Sequence, residues 1–150
     1  MFHRSSLTYV NGFRQIPETL KAMQNVEKSF ESFSISQKWR ELARLRASHI
    51  NGCPVCVSVH SKEALAGGVS DTQIHQLPVW PHSNAFDEKE KAVLFWTDKL
   101  TKPHKGISLA DVQRVREHLS EKEVVELTAV LSSINAFNRA TLAFDLMERK

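Results

Sequence analysis

The sequence contains no run approaching the roughly 18 apolar residues that a membrane-spanning helix requires, so transmembrane placement is not expected. No segment sustains polar–apolar alternation, and no paired turn signals mark hairpins, which argues against a sheet. A cluster of aromatic and basic residues of the kind that stacks nucleic acid is also missing. The net charge of +3 and the pI near 9.0 come from bases interleaved with acids, as in DEKEK and SEKEVVE, and describe solvated helix surface. The opening MFHRSSLTYVNGFRQ lacks the apolar core of a secretory signal, so the expected compartment is the cytoplasm, where structural disulfides are rare. Only two cysteines are available, Cys53 and Cys56. A chain of 150 residues buries about two-thirds of its unfolded surface, so folding needs neither a disulfide nor a metal. Residues 1–150 are expected to form one domain, with no linker and no repeat.

What is present repeats at helical period. PETLKAMQNVEKSFESF sets Leu20, Met23, Val26 and Phe30 along one stripe behind Pro17, a favoured first-turn residue. SQKWRELARLRASHI follows with Trp39, Leu42, Leu45 and Ile50, and stops at Asn51-Gly52. The next helix begins at Pro54 and ends at Gly67-Gly68; a short one follows Ser70, and LPVWPHSNAF reads as a connector with two prolines. Asp87 with Glu90, Ser108 with Asp111 and Ser120 with Glu123 have the capping-box pattern and open the last three helices. The final helix spans about 27 residues and is apolar on more than one face. Its Val124, Val125, Leu127, Val130, Leu131, Ile134, Phe137, Leu142 and Phe144 exceed what one face can place in a small core. Burial against another subunit is the expectation. The fold class is therefore all-α: a compact antiparallel helical domain of about six to seven helices.

Both cysteines lie in NGCPVCVSVH, Asn51 to His60. With Cys53 as N-cap and Pro54 as the first helical residue, Cys53, Cys56 and His60 share one helix face. Cys56 and His60 are one turn apart, whereas Cys53 and His60 are separated by about 10 Å. His60 is thus the partner of Cys56. The positive end of the helix dipole favours a thiolate in the first turn, which makes Cys56 the more nucleophilic thiol. Cys53 can close a disulfide with it after oxidation, giving an attacking thiol, a base and a resolving thiol within ten residues. Two other readings of the residues stay open: zinc held by Cys53, Cys56 and His60, with His49, Glu41 or water as fourth ligand, and an inert packed cysteine pair. Haem attachment is excluded because Val57 stands where Cys-x-x-Cys-His requires histidine. Thioredoxin-like architecture is disfavoured because no strand precedes the motif. His75, His82, His104 and His118 have no partner at useful spacing.

RELARLRASHINGCPVCVSVHSKEALAGG, then WPHSNAFDEKEKAVLFWTDKLT, then INAFNRATLAF in the last helix, resembles the carboxymuconolactone decarboxylase and alkylhydroperoxidase D-like family from about Trp39 to Phe144. The resemblance implies an all-helical fold assembling into trimers or hexamers, and a peroxidase reaction in which the second cysteine attacks and the first resolves. It also implies that Glu41, twelve residues before Cys53, forms a proton relay with His60. The residue-level alternative for Glu41 is an exposed glutamate paired with Arg44 or Lys38. Members with decarboxylase activity lack the cysteine pair. Two positions depart from the pattern: Val55 replaces the relay histidine that precedes the second cysteine, and His49 replaces a common glutamine, as a substitute relay group or as a surface histidine at a helix end.

The resulting expectation is a thiol-dependent peroxidase or dithiol–disulfide oxidoreductase with Cys56, Cys53, His60 and Glu41 as catalytic residues. Its substrate would be hydrogen peroxide or a small organic hydroperoxide, and its reductant an external lipoyl- or thioredoxin-like dithiol. No resident metal or cofactor, nucleic acid or membrane partner is expected. The alternatives are a carboxymuconolactone decarboxylase-type lyase and a non-catalytic zinc-binding or structural helical subunit.

Overall fold

The computed structural model describes residues 12–148. From Pro17 onward these form seven α-helices: α1 (Pro17–Ser29), α2 (Gln37–Asn51), α3 (Pro54–Ala66), α4 (Asp71–Gln76), α5 (Glu88–Thr101), α6 (Leu109–Arg116) and α7 (Glu121–Glu148). Short 3₁₀ segments cover Phe30–Ser32, Leu77–His82 and Pro103–Lys105, and no strand occurs among the described residues. The all-α expectation holds. The question of a leader at residues 1–11 lies outside the described residues.

Local chemistry accounts for the helix ends. Asp87/Glu90 and Ser108/Asp111 form reciprocal capping boxes, and Ser120/Glu123 exchanges the same two bonds ahead of α7. Such caps contribute about 1 kcal/mol each. A further box, Ser70/Gln73, opens α4. α2 starts at Ser36, whose hydroxyl accepts the Trp39 N–H, and stops at Gly52, held at φ 66°, where a side chain would be strained. The LPVWPHSNAF connector is more ordered than its prolines suggest. Leu77–His82 coils as 3₁₀ turns with a kink at Val79, because Pro78 and Pro81 deny the longer α pattern, and buried Leu77 and Trp80 pin it to the core.

α2 is the central element, packed against α3, α5 and α7. One apolar cluster joins it to α5, α6 and α7 through Ala43, Ala47, Val93, Trp96, Val115, Leu127 and Leu131; a second joins it to α3 and α5 through Leu42, Leu45, Ala64, Leu77 and Leu94. Glu126 of α7 holds the turn into α2 by accepting the Ser34 and Ile35 N–H groups at 3.0 and 3.1 Å and the Ser34 hydroxyl at 2.7 Å. Burial alone would push the Glu126 carboxyl up, but these donors outweigh it and hold the pKa below its ordinary value.

Two packing expectations change. The stripe is only partly used: Phe30, just past the end of α1, is buried in the core, but Leu20 and Met23 are half-buried, Val26 is exposed, and no residue of α1 itself is buried. On α7, Val124, Leu127, Val130, Leu131 and Ile134 are buried within the chain, by α2, α5 and α6. Val125 is exposed, while Phe137, Leu142 and Phe144 are half-buried. One chain therefore covers most of the apolar surface from which a subunit contact was inferred. Among the described residues, no helix is long and apolar enough to cross a membrane.

Candidate active site

The site is built at the junction of α2 and α3. After the Gly52 turn, the Cys53 N–H returns to the Ser48 carbonyl at 3.1 Å, fixing the start of α3 against the end of α2. Cys53 is the N-cap, Pro54 the first helical residue, and the Cys56 N–H points at the Cys53 sulfur at 3.3 Å. The two cysteines are joined as a disulfide, their Cα atoms 5.3 Å apart. Cys56 forms part of the wall of a cavity of about 460 Å³, whereas Cys53, 1% exposed, does not line it. That volume is in the range of small-molecule sites. Val55, Val59, Ala66, Ile134 and Phe137 give the cavity an apolar lining.

Glu41 and His60 share this wall. Glu41 sits on the α2 face toward α3 and is 4% exposed, so the exposed-glutamate alternative does not describe it, although the pairing with Arg44 is present. One Glu41 oxygen takes the Arg44 guanidinium; the other lies 3.1 Å from His60 Nδ1. A second carboxylate, Glu63, approaches the same Nδ1 at 2.9 Å. Ionised carboxylates only accept, so Nδ1 carries the proton. Burial alone would lower the His60 pKa, but the hydrogen bonds it donates to Glu41 and Glu63 outweigh it and raise the pKa above 6.5. For Glu41, burial works upward, but the His60 hydrogen bond and the Arg44 charge bring the pKa below 4.5. The spacing argument gave His60 to Cys56. The two line one cavity, and the hydrogen bonds of His60 run to Glu41 and Glu63.

Sequence reasoning missed several members of this site. Glu63 was signalled only by its i,i+3 spacing from His60. Arg44 also binds Glu27 of α1 at 2.6 Å, and Glu27 in turn accepts from the Ser133 hydroxyl on α7. Below the cysteines, Asn51 Nδ2 donates to Asn135 and Asn138, each at 2.9 Å, and Asn138 donates to Ser48 at 3.1 Å. This buried amide network ties the end of α2 to α7.

Val55 lines the cavity as an apolar group. His49 does not line it; the residue is half-buried, with Nδ1 buried and unpartnered, and burial together with Arg46 lowers its pKa. It is therefore neither a surface histidine nor part of the Glu41–His60 pair. In the disulfide form the two cysteines of the zinc reading offer no thiolates to an ion. Among the described residues, the donors close enough to hold an ion are Glu41, His60 and Glu63, with Arg44 already on Glu41.

An all-helical chain with a Cys-x-x-Cys disulfide at a helix start, beside a buried Glu–His pair, defines the class. The chain belongs to the carboxymuconolactone decarboxylase family, whose sequence profile matches residues 17–99. It is 33% identical over 135 residues to the uncharacterised protein YdfG of Bacillus subtilis, covering 89% of this chain and 92% of that one. It is also 33% identical over 105 residues to the uncharacterised protein Rv2313c of Mycobacterium tuberculosis, covering 69% of this chain but only 36% of that relative. A crystal structure from Agrobacterium tumefaciens, of a protein of unknown function proposed to be the antioxidant defence protein AhpD, superposes with a TM-score of 0.84 at 34% identity. It covers 89% of this chain and 92% of that chain. The debrominase Bmp8, in its apo form, shares the fold at a TM-score of 0.80 and 19% identity, covering 89% of this chain and 72% of that chain.

Proposed function

We propose that the protein is a thiol-dependent peroxidase, or dithiol–disulfide oxidoreductase, that reduces hydrogen peroxide or small organic hydroperoxides. The observation that carries this reading is the division of labour at the cavity: Cys56 and the Glu41–His60 pair line it, while Cys53 is bonded to Cys56 outside the wall. The proposed antioxidant role of the Agrobacterium protein points the same way.

In the reduced protein the Cys56 thiolate attacks the terminal peroxide oxygen. An S–O bond forms, the O–O bond breaks, and the departing alkoxide takes a proton from His60 Nε2 to leave as alcohol, or as water when the substrate is hydrogen peroxide. Cys56 is now a sulfenic acid. The Cys53 thiol attacks that sulfur, its proton leaves with the hydroxyl as water, and the disulfide closes. An external dithiol is oxidised to its own disulfide as it returns both thiols. Glu41 keeps the proton on Nδ1 throughout, and with Val55 in place of a second imidazole His60 carries the transfers alone. The reading includes a cytoplasmic setting, where such dithiols are maintained, and a trimeric or hexameric assembly, which light scattering at micromolar concentration tests.

The decisive test is thiol titration of the reduced protein before and after one equivalent of peroxide. Two thiols should disappear per peroxide consumed and return with a dithiol. Retention of both thiols after exposure overturns the proposal.

A further inference from the structure

We infer that the cavity sorts molecules by charge, admitting neutral hydroperoxides and neutral dithiols to Cys56 and turning away those bearing a carboxylate, with Glu27 and Glu63 as the selecting residues. This rests on Cys56 being the reactive thiol and names the substrate and reductant class it serves.

The inference comes from the inventory of charge on the wall. Glu27, Glu41 and Glu63 line the cavity against one permanent cation, Arg44, and one imidazole, His60. Three carboxylates against one guanidinium leave an excess of two negative charges when His60 is neutral and one when it is protonated. The Cys56 thiolate adds another in the reduced state.

Arg44 is not available to receive an anion. Its two terminal nitrogens are held by Glu41 and Glu27, and its side chain is 10% exposed. Its buried Nε has no partner, but a carboxylate reaching that N–H would bring a fourth carboxylate onto the same wall. The carboxylates nearest solvent are Glu63, with 51% of its side chain exposed, and Glu27, with 29%, while Glu41 keeps 5%. Glu63 and Glu27 are thus the more exposed charges of the wall and Arg44 the more enclosed one.

The remaining wall is Val55, Val59, Ala66, Ile134 and Phe137. Low-dielectric surfaces focus the field of the carboxylates and weaken its screening by salt. A hydrophobic, negatively charged cavity suits an uncharged molecule with an apolar body. A fatty-acid hydroperoxide would suit it only as its ester.

The test uses two alkylating reagents of nearly equal size, iodoacetamide and iodoacetate, on reduced Cys53→Ser protein, so that Cys56 is the one thiol present. In both cases the thiolate forms a C–S bond and iodide leaves with the C–I electrons. Each rate is divided by that of 2-mercaptoethanol at the same pH and salt. The normalised ratio should favour the amide by about tenfold or more, in the range of electrostatic focusing. It should shrink in Glu63→Gln and in Glu27→Gln, and again at high salt. A ratio within twofold of the free thiol, or one unmoved by both substitutions, overturns the inference.

A second arm compares a fatty-acid hydroperoxide with its methyl ester on the wild-type dithiol protein, and the ester should react at least tenfold faster. If neither peroxide reacts while the alkylation ratio stands, the peroxidase reading fails and charge selection survives. If both peroxides react equally fast, charge selection fails and the peroxidase reading survives.

Discussion

Glu41 and His60 lie nineteen residues apart, on α2 and α3, and meet at 3.1 Å beside the Cys56 that lines the same cavity. The carboxylate holds the imidazole in one tautomer. Glu41→Gln keeps the shape but removes the buried negative charge beside Nδ1–H, leaving Glu63 as the one carboxylate on that nitrogen. The reaction of Cys56 with peroxide should slow by about 10²–10⁴-fold, the usual worth of an acid–base group, with helical content unchanged by circular dichroism. A wild-type rate in stopped-flow would remove Glu41 from the relay.

The same pair gives stability a pH signature. The His60 pKa is raised, so its contribution is complete below its ordinary 6.5 and lost as pH rises through the higher folded value. Glu41 is shifted down, so its contribution is complete above 4.5 and lost as pH falls through the lower folded value. The melting-temperature gap between oxidised wild type and Glu41→Gln should therefore be widest between these two pH values and narrow on either side. A gap that widens steadily into alkaline pH would contradict the ion pair.

The thiols should separate cleanly. Cys56→Ser should abolish peroxide consumption, because a serine hydroxyl at neutral pH lacks thiolate nucleophilicity. Cys53→Ser should react once and leave a sulfenic acid on Cys56 that a dimedone-type reagent traps, as no neighbouring thiol condenses with it. Mass-spectrometric detection of the adduct on Cys53 in the Cys56→Ser protein would reverse the roles.

Asn138, fully buried, bonds Asn51 and Ser48 at the end of α2, next to the Cys53 that caps α3. Replacing it with alanine removes two hydrogen bonds worth roughly 0.5–1.5 kcal/mol each. A loss of about 1–3 kcal/mol should appear in urea denaturation, whereas an unchanged midpoint would show that the network does not stabilise the junction.

What could be read from the chain follows the range of the interactions. The caps at Asp87, Ser108 and Ser120, the Gly52 stop, and Cys53 as N-cap with Pro54 and Cys56 after it are set within four residues, and all stand as expected. The contact between Glu41 and His60 spans two helices, and only the family resemblance pointed to it. Arg44 was visible as an i,i+3 partner of Glu41, but its bond to Glu27 and the Asn51–Asn135–Asn138 network were not, because those partners lie far away in sequence, on other helices. The apolar faces of α7 were legible, but periodicity cannot say whose side chains cover them, and α2, α5 and α6 proved to do most of it.

α1 buries none of its 13 residues, yet Glu27 from its last turn forms part of the cavity wall. Amide protons in such an element exchange with solvent through local opening, without waiting for the core to unfold. In deuterium labelling, α1 should fill within the time that α2 still retains its protons. Glu27 then keeps its place on the cavity wall only while that helix stays docked, so the charge lining the cavity depends on the least buried α-helix of the fold.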